Sequence, residues 1–407
     1  MKLAIATALV LVALIPVNAT AMPKFAALEN KECIYCHVDP AGGGARNFRG
    51  KYYEAHGFSF EGFDEEAALA AEGGAGSSLE ALMKALSFSG QLRVVRSVAE
   101  GPHEPFTSNC DSCHKPGQRA PDNTFFVMQG ELAVTARVAE NVAFTYSNDL
   151  GITRDVYATV SFGEGSKYLK VGAFEVPYGL DEMRDHNALV KSRHNLGSNV
   201  RDVGVMGAIQ KPRWFASVAV LNGRERFPES APVLSSWDQD GTPAAVARAG
   251  ISTPNARAGA SFLHDNSGMG NEPRETVGGV FGTLSGDKWR LLAEGDLGQE
   301  RIGAFDRTNY GVLAQASYKV FSSTELSVRY DRYDPDIDGP SDGAEPTVDN
   351  GSESWYSLIA DQTISKNASV QFRGRLREEE YEDVGLDGSG QKLPGNDDAM
   401  LMLYVHF

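Results

Sequence analysis

The sequence predicts a mainly β protein: a ~16-stranded antiparallel β-barrel of the outer-membrane type, preceded by a small N-terminal segment of different composition. Three observations predict it. From residue 88 onward, short segments alternate apolar and polar residues between clusters of Gly, Asn, Asp and Pro, the period-two pattern of strands. Tight turns and long loops join those segments alternately, as in barrels whose two ends face different compartments. The chain also ends on a strand-like run, Met400-Leu401-Met402-Leu403-Tyr404-Val405-His406-Phe407, with a terminal aromatic residue.

Residues 1–21 read as a signal peptide. Lys2 precedes an apolar run from Leu3 to Ile15, and Ala19-Thr20-Ala21 supplies the small-residue cleavage pattern. Export follows, and the apolar run is too short to span a bilayer as a helix. No later stretch has that length either, so a membrane form of this chain would have to be a barrel.

Residues 22–87 form the second unit. The four cysteines of the 407-residue chain all fall in two Cys-x-x-Cys-His motifs, Cys33-Ile34-Tyr35-Cys36-His37 and Cys110-Asp111-Ser112-Cys113-His114. In c-type haem attachment both thiols add to the haem vinyl groups and the adjacent imidazole takes the iron. Two such pairs can also make a zinc site, and a lone CxxC can be a redox dithiol. A histidine after each pair favours two covalent haems. His37 and His114 are then the proximal ligands, and His56 and His103 the candidate distal ones, with Met22, Met83 and Met128 as rivals. Within this unit Glu61 to Ala71 is helix-prone, residues 73–78 have linker composition, and Leu79–Leu86 suggests a short amphipathic helix.

The barrel occupies residues 88–407. Strand signatures include Phe125–Thr135, Lys167–Phe174, Trp214–Leu221, Ala256–Phe262, Tyr310–Tyr318, Glu325–Tyr333, Trp355–Ile364 and Ser369–Leu376. Tight turns are expected near Ala139–Asn141, Gly163–Ser166, Lys211–Arg213, Thr253–Asn255, Ser285–Asp287, Phe321–Thr324 and Ser365–Asn367. Long connections are expected at Gly101–Asn123, Val176–Val200, Arg224–Thr242, Asp265–Arg274, Gln299–Arg307, Pro335–Ser352 and Glu379–Asp398, with a short one at Asp149-Leu150-Gly151. The second CxxCH falls in the first long loop, residues 101–123. Trp214, Phe262, Trp289, Tyr318, Trp355 and Tyr404 are placed to form aromatic girdles. A water-soluble sandwich gives similar periodicity; the alternation of connection lengths favours the barrel.

The formal net charge is −16, which excludes nucleic acid as the default partner. The acidic excess lies mainly in the 331–349 and 378–398 stretches, which read as solvated loops. His186 and His194, with Arg184, Lys191 and Arg193, read as a basic constriction in a long loop. No nucleophile or metalloprotease motif is present; there is no GxSxG and no HExxH.

Cys33 through His37, followed by Val38-Asp39-Pro40-Ala41-Gly42-Gly43-Gly44, and the barrel downstream together resemble the fused cytochrome–porin proteins. Val171-Gly172-Ala173-Phe174-Glu175-Val176-Pro177-Tyr178-Gly179 and Arg201-Asp202-Val203-Gly204 are similar to segments of phosphate-selective porins. The first resemblance implies an electron conduit. It would sit in outer-membrane lipid and pass electrons between a periplasmic c-type cytochrome and extracellular iron or another redox partner, with the N-terminal haem segment on the periplasmic side or in the lumen. One departure is plain: the iron-oxidising type has a single haem site, and this chain has two. A solute or anion porin whose haems are structural or redox-sensing is the alternative, and a soluble periplasmic dihaem reductase or peroxidase a third.

Overall fold

The computed structural model describes residues 29–39, 46–56, 59–65, 86–99, 123–139, 141–150, 152–163, 166–180, 201–223, 242–266, 274–302, 305–335, 337, 352–365, 367–379 and 398–406. Among the described residues two short helices, α1 (Cys33–Cys36) and α2 (Phe48–Ala55), precede the strands. These are β1 (Leu86–Ala99), β2 (Asn123–Ala139), β3 (Val142–Asp149), β4 (Ile152–Phe162), β5 (Lys167–Glu175), β6 (Arg201–Lys211), β7 (Trp214–Leu221) and β8 (Ala244–Ser252). The second half comprises β9 (Ala256–Asp265), β10 (Arg274–Ser285), β11 (Trp289–Ile302), β12 (Phe305–Phe321), β13 (Thr324–Asp334), β14 (Glu353–Ser365), β15 (Ala368–Glu379) and β16 (Asp398–His406).

All sixteen strands form one closed antiparallel barrel in which each pairs with its sequence neighbours and β16 returns to β1. The closing register runs from Gln91↔His406 to Ala99↔Asp398, so the C-terminal run is the strand that seals the wall. Closure pairs the backbone groups that an open sheet would leave at its edges. A sandwich is thereby excluded.

Period two separates the faces. Val218, Val220, Phe262, Leu291, Val328 and Leu358 lie exposed on the outside. Arg248, Glu294, Asp296, Arg329, Asp331, Arg373 and Arg375 are buried on the inside. Apolar out and charged in is the reverse of a water-soluble barrel, and it is the pattern of a wall that faces hydrocarbon. Among the described residues no helix is long and apolar enough to cross a membrane.

The two patches similar to phosphate-selective porins meet across one strand pair, with Gly172 of β5 opposite Gly204 of β6. A Cβ on Gly172 would lie 2.2 Å from the Val156 carbonyl oxygen, and one on Gly204 2.2 Å from that of Val220. Gly172 also has φ of +129°, which side chains rarely adopt. These glycines are there because the neighbouring backbones leave no room.

The expected tight turns all join strands as anticipated, and so does the short connection at Asp149 to Ile152. One long connection is corrected. Gln299–Arg307 is not a loop: β11 runs to Ile302, β12 starts at Phe305, and those two residues pair. The polar run had loop composition, but a hairpin beyond the apolar belt needs none of that belt's residues, and the exposed Arg301–Asp306 ion pair at 2.8 Å bridges its strands.

The aromatic girdle is corrected in part. Trp214, Phe262, Trp289 and Tyr318 are exposed on the outside as expected. Trp355 is buried inside, beneath Arg375 (4.1 Å to the ring centroid) and donating to Glu353, while Tyr356 takes the outward position. Tyr404 also turns inward and donates to Gln91 at 2.9 Å. A one-residue change of parity reverses the face, and composition does not set parity.

Candidate functional site

The first CxxCH motif is held by the start of α2. Asn47 caps that helix, its Oδ1 accepting from the Gly50 amide at 3.1 Å. Its Nδ2 donates to the carbonyls of Tyr35 (3.1 Å) and His37 (3.4 Å), and its backbone amide donates to that of Cys36 (3.0 Å). One residue thus ties three successive carbonyls of the motif to the helix. His37 also forms an antiparallel bridge with Arg46.

Aromatic packing completes this small core. Phe60 packs on Tyr35, Tyr53 and Phe63, and Phe63 on Tyr52 and Phe48. Arg49 lies over Tyr35 and pairs with Glu65 at 2.7 Å, and Tyr35 donates to the same carboxylate. The Arg49 hydrogen bond holds the Glu65 carboxyl below its ordinary range. Burial pushes the Cys36 thiol up, with Glu29 adding to it. Reactive dithiol cysteines have lowered values, the opposite direction.

His56, the candidate distal ligand, caps the C-terminus of α2. Its ring stacks on Tyr52 at 3.8 Å between centroids, and Nδ1–H donates to the Tyr52 carbonyl at 2.8 Å. That bond leaves Nε2 with its lone pair on an exposed ring, the arrangement that metal-ligating histidines share. The His56 imidazole thus has the tautomer that an iron ligand needs. α2, which the sequence did not announce, is the element linking Asn47 to His56. The expected helix from Glu61 opens as a turn at Glu61 and Gly62, Phe63 and Asp64 are irregular and Glu65 is helical; residues 66–71, the 73–78 linker and all but Leu86 of the 79–86 helix lie outside the described residues.

The segment is fastened to the barrel. Asp39, two residues after His37 and buried, accepts from Tyr157 Oη (2.7 Å) and Lys170 Nζ (3.2 Å). Tyr157 of β4 and Lys170 of β5 share the inward parity of their buried strand neighbours Thr159 and Tyr168. Lys170 also lies 4.1 Å from the Tyr157 ring centroid. Val38 packs on Ala143 of β3, and Glu32 pairs with Lys211 at 3.2 Å at the short turn after β6. None of these barrel residues stood out in the sequence; a lysine at an inward position in the middle of β5 was the one available signal.

Cys110, Cys113, His114 and His103 lie outside the described residues, as do His186, His194 and the basic residues 184–193. The beginning of that last loop is described, and it turns into the lumen. Tyr178 donates to Asp296 (2.8 Å), the Gly179 amide to Ser261 (2.9 Å) and the Leu180 amide to Glu294 (3.0 Å).

No protein-family model and no curated protein matches this chain. Solved structures do. The outer-membrane expressed OmpT of Vibrio cholerae aligns with a TM-score of 0.55 at 13% identity, over 79% of this chain and 98% of its own. An anion-selective porin from Comamonas acidovorans aligns at 0.53 with 9% identity, over 79% and 99%. The fold is that of the outer-membrane porins. The outer membrane channel DcaP of Acinetobacter baumannii shares it, at 0.55 and 14% identity over 79% and 97%. A porin fold hosts more than one function, so the activity must be argued from what this chain places in and around its barrel.

Proposed function

We propose that this protein is an outer-membrane electron carrier, a dihaem c-type cytochrome joined to a porin-fold barrel. It would connect a periplasmic c-type cytochrome with extracellular iron or another redox partner. The observation that carries the reading is Asp39. It extends the Cys33–His37 motif onto Tyr157 and Lys170, so the attachment motif is tied to the inner surface of the wall. The short-turn end would face the periplasm, as in barrels of this type.

A c-type haem, when bound, supplies a one-electron iron couple whose potential depends on axial ligands, burial and hydrogen bonding. Cys33 and Cys36 would hold the first through thioethers, with His37 and His56 on the iron. Cys110, Cys113 and His114 would hold the second, with His103 as the candidate further iron ligand. The Tyr52 carbonyl keeps the His56 proton on Nδ1, Asn47 fixes the backbone around His37, and the rings of Tyr35, Phe60 and Phe63 exclude water.

A second reading, a solute or anion porin, draws on the porin fold and on the lumen. Arg248 and Arg257 both lie over the Phe215 and Phe281 rings, at 4.7–5.7 Å from the centroids. Inward guanidiniums favour anions over cations.

The test uses purified, haem-loaded protein in liposomes holding a reduced dye, with ferric citrate outside. Oxidation of the trapped dye, lost in His37→Ala or His114→Ala, supports the conduit. A dye that stays reduced while chloride leaks freely supports the pore. Heat-modifiable migration in detergent tests membrane-barrel character separately.

A further inference from the structure

We propose that the inner face of β16, β1 and β2 seats the second haem, placing that redox centre in the lumen rather than beyond the wall; the inference rests on the dihaem reading above. Inward positions of this barrel carry charged side chains such as Glu294, Arg329 and Arg373, yet one inner stretch is apolar. Val95, Met400 and Met402 are buried there, and Phe126 and Met128 pack against them. The intervening Val127, Leu401 and Leu403 are exposed on the outside, which fixes the patch as inward. Three of the chain's nine methionines meet in it, and such unbranched, polarisable side chains adapt to a flat macrocycle. The inward apolar clusters of β5–β12 have their cover in the loop that starts after β5: Val176 and Tyr178 belong to one and Leu180 to the other.

Position singles out the occupant. β1 and β2 are the strands joined by residues 100–122, the connection that carries Cys110 and Cys113. Val98 and Asn123 pair where the chain leaves the wall and returns to it. Val95 lies opposite both Phe126 and Met402, roughly 13 Å down the wall from Ala99. Each attachment cysteine stands about ten residues from its anchoring strand, an extended reach of roughly 30 Å, so the tether is long enough. Charge completes the match. Arg93, in register with Tyr404 and Gln129, lies 5.1 Å from the Tyr404 ring centroid, and its buried Nε has no hydrogen-bond partner. Arg373 reaches Met400 Sδ at 3.6 Å. Glu131, the carboxylate on the same side of Arg93, is engaged by Gln91 and Gln129. An apolar surface flanked by guanidiniums matches a haem, whose apolar ring carries propionate carboxylates.

The experiment is NMR of the full-length, haem-loaded protein in detergent, with isotope-labelled methionine methyl groups. Low-spin ferric haem is paramagnetic and its ferrous form is not, so only methyls near a haem move between the two states. The Met128, Met400 and Met402 methyls should shift on oxidation. Cys110→Ala combined with Cys113→Ala should abolish that shift while the first haem stays bound. Arg93→Gln should lower the reduction potential of one haem and leave the other unchanged, because losing a nearby cation favours the ferric form. Methyls indifferent to oxidation state, a shift that survives the cysteine variant, or two unchanged potentials in Arg93→Gln would each overturn the seat. The pyridine haemochrome of the same sample counts haems per chain and separates the two failures. Two haems without a methyl shift sink the seat alone, and fewer than two sink the dihaem reading with it.

Discussion

Gly50 lies directly beneath the Cys36 carbonyl: a Cβ built on it would stand 2.1 Å from that oxygen and 3.0 Å from the Arg46 Cβ. The close approach lets α2 press against the CxxCH turn, and Asn47, one turn earlier, then reaches the carbonyls on both sides.

Gly50→Ala should therefore separate α2 from the motif, because the clash is with backbone that cannot rotate away. Overpacking of this kind costs about 1–3 kcal/mol, and Asn47→Ala should cost about 1 kcal/mol through the lost cap. Limited proteolysis at Arg49 and Lys51 measures this. Faster cleavage with unchanged heat-modifiable migration is expected, and cleavage at the wild-type rate in Gly50→Ala would contradict the proposed packing.

The Asp39–Lys170 pair makes a second prediction. Both groups are buried, so removing one charge leaves the other less well compensated, at a cost of about 3 kcal/mol. Lys170→Met should release the N-terminal segment from the wall, and Asp39→Asn combined with Lys170→Met should recover part of the loss. Hydrogen exchange of residues 29–39 reads the release. A double variant no better docked than Lys170→Met would mean that the pair does not fasten the segment.

Cys36 gives a pH prediction for the haem-free chain. Burial raises its folded value above the ordinary thiol range, so the folded state holds the proton more tightly than the unfolded state. Stability from this group is then complete below the ordinary thiol pKa of ~8.5 and is lost as pH rises through the folded value. In a variant keeping only Cys36, iodoacetamide should react more slowly at pH 8 than with the urea-unfolded chain. Faster reaction in the folded state would instead favour the dithiol chemistry.

Strand positions, tight turns and closure were legible because each rests on local pattern: period-two alternation, turn residues and a chain-terminal strand. The Gln299–Arg307 hairpin and the inward turn of Trp355 were not, because polar composition resembles a loop and parity depends on register with the neighbouring strand. In the candidate site, Cys33, Cys36 and His37 are legible as a motif, since their spacing lies along the chain itself. Asn47, Gly50 and the α2 helix that carries His56 were not singled out, because their roles are contacts with carbonyls that any residue could present.

By itself the sequence determined the barrel class and the two CxxCH motifs, both written in short-range spacing. Only the tertiary structure decided that Asp39 meets Tyr157 and Lys170, 118 and 131 residues away. The physical reason is that barrel closure sets which inward side chains face the lumen together, and an unpaired charge there must find its partner across the wall rather than along the chain.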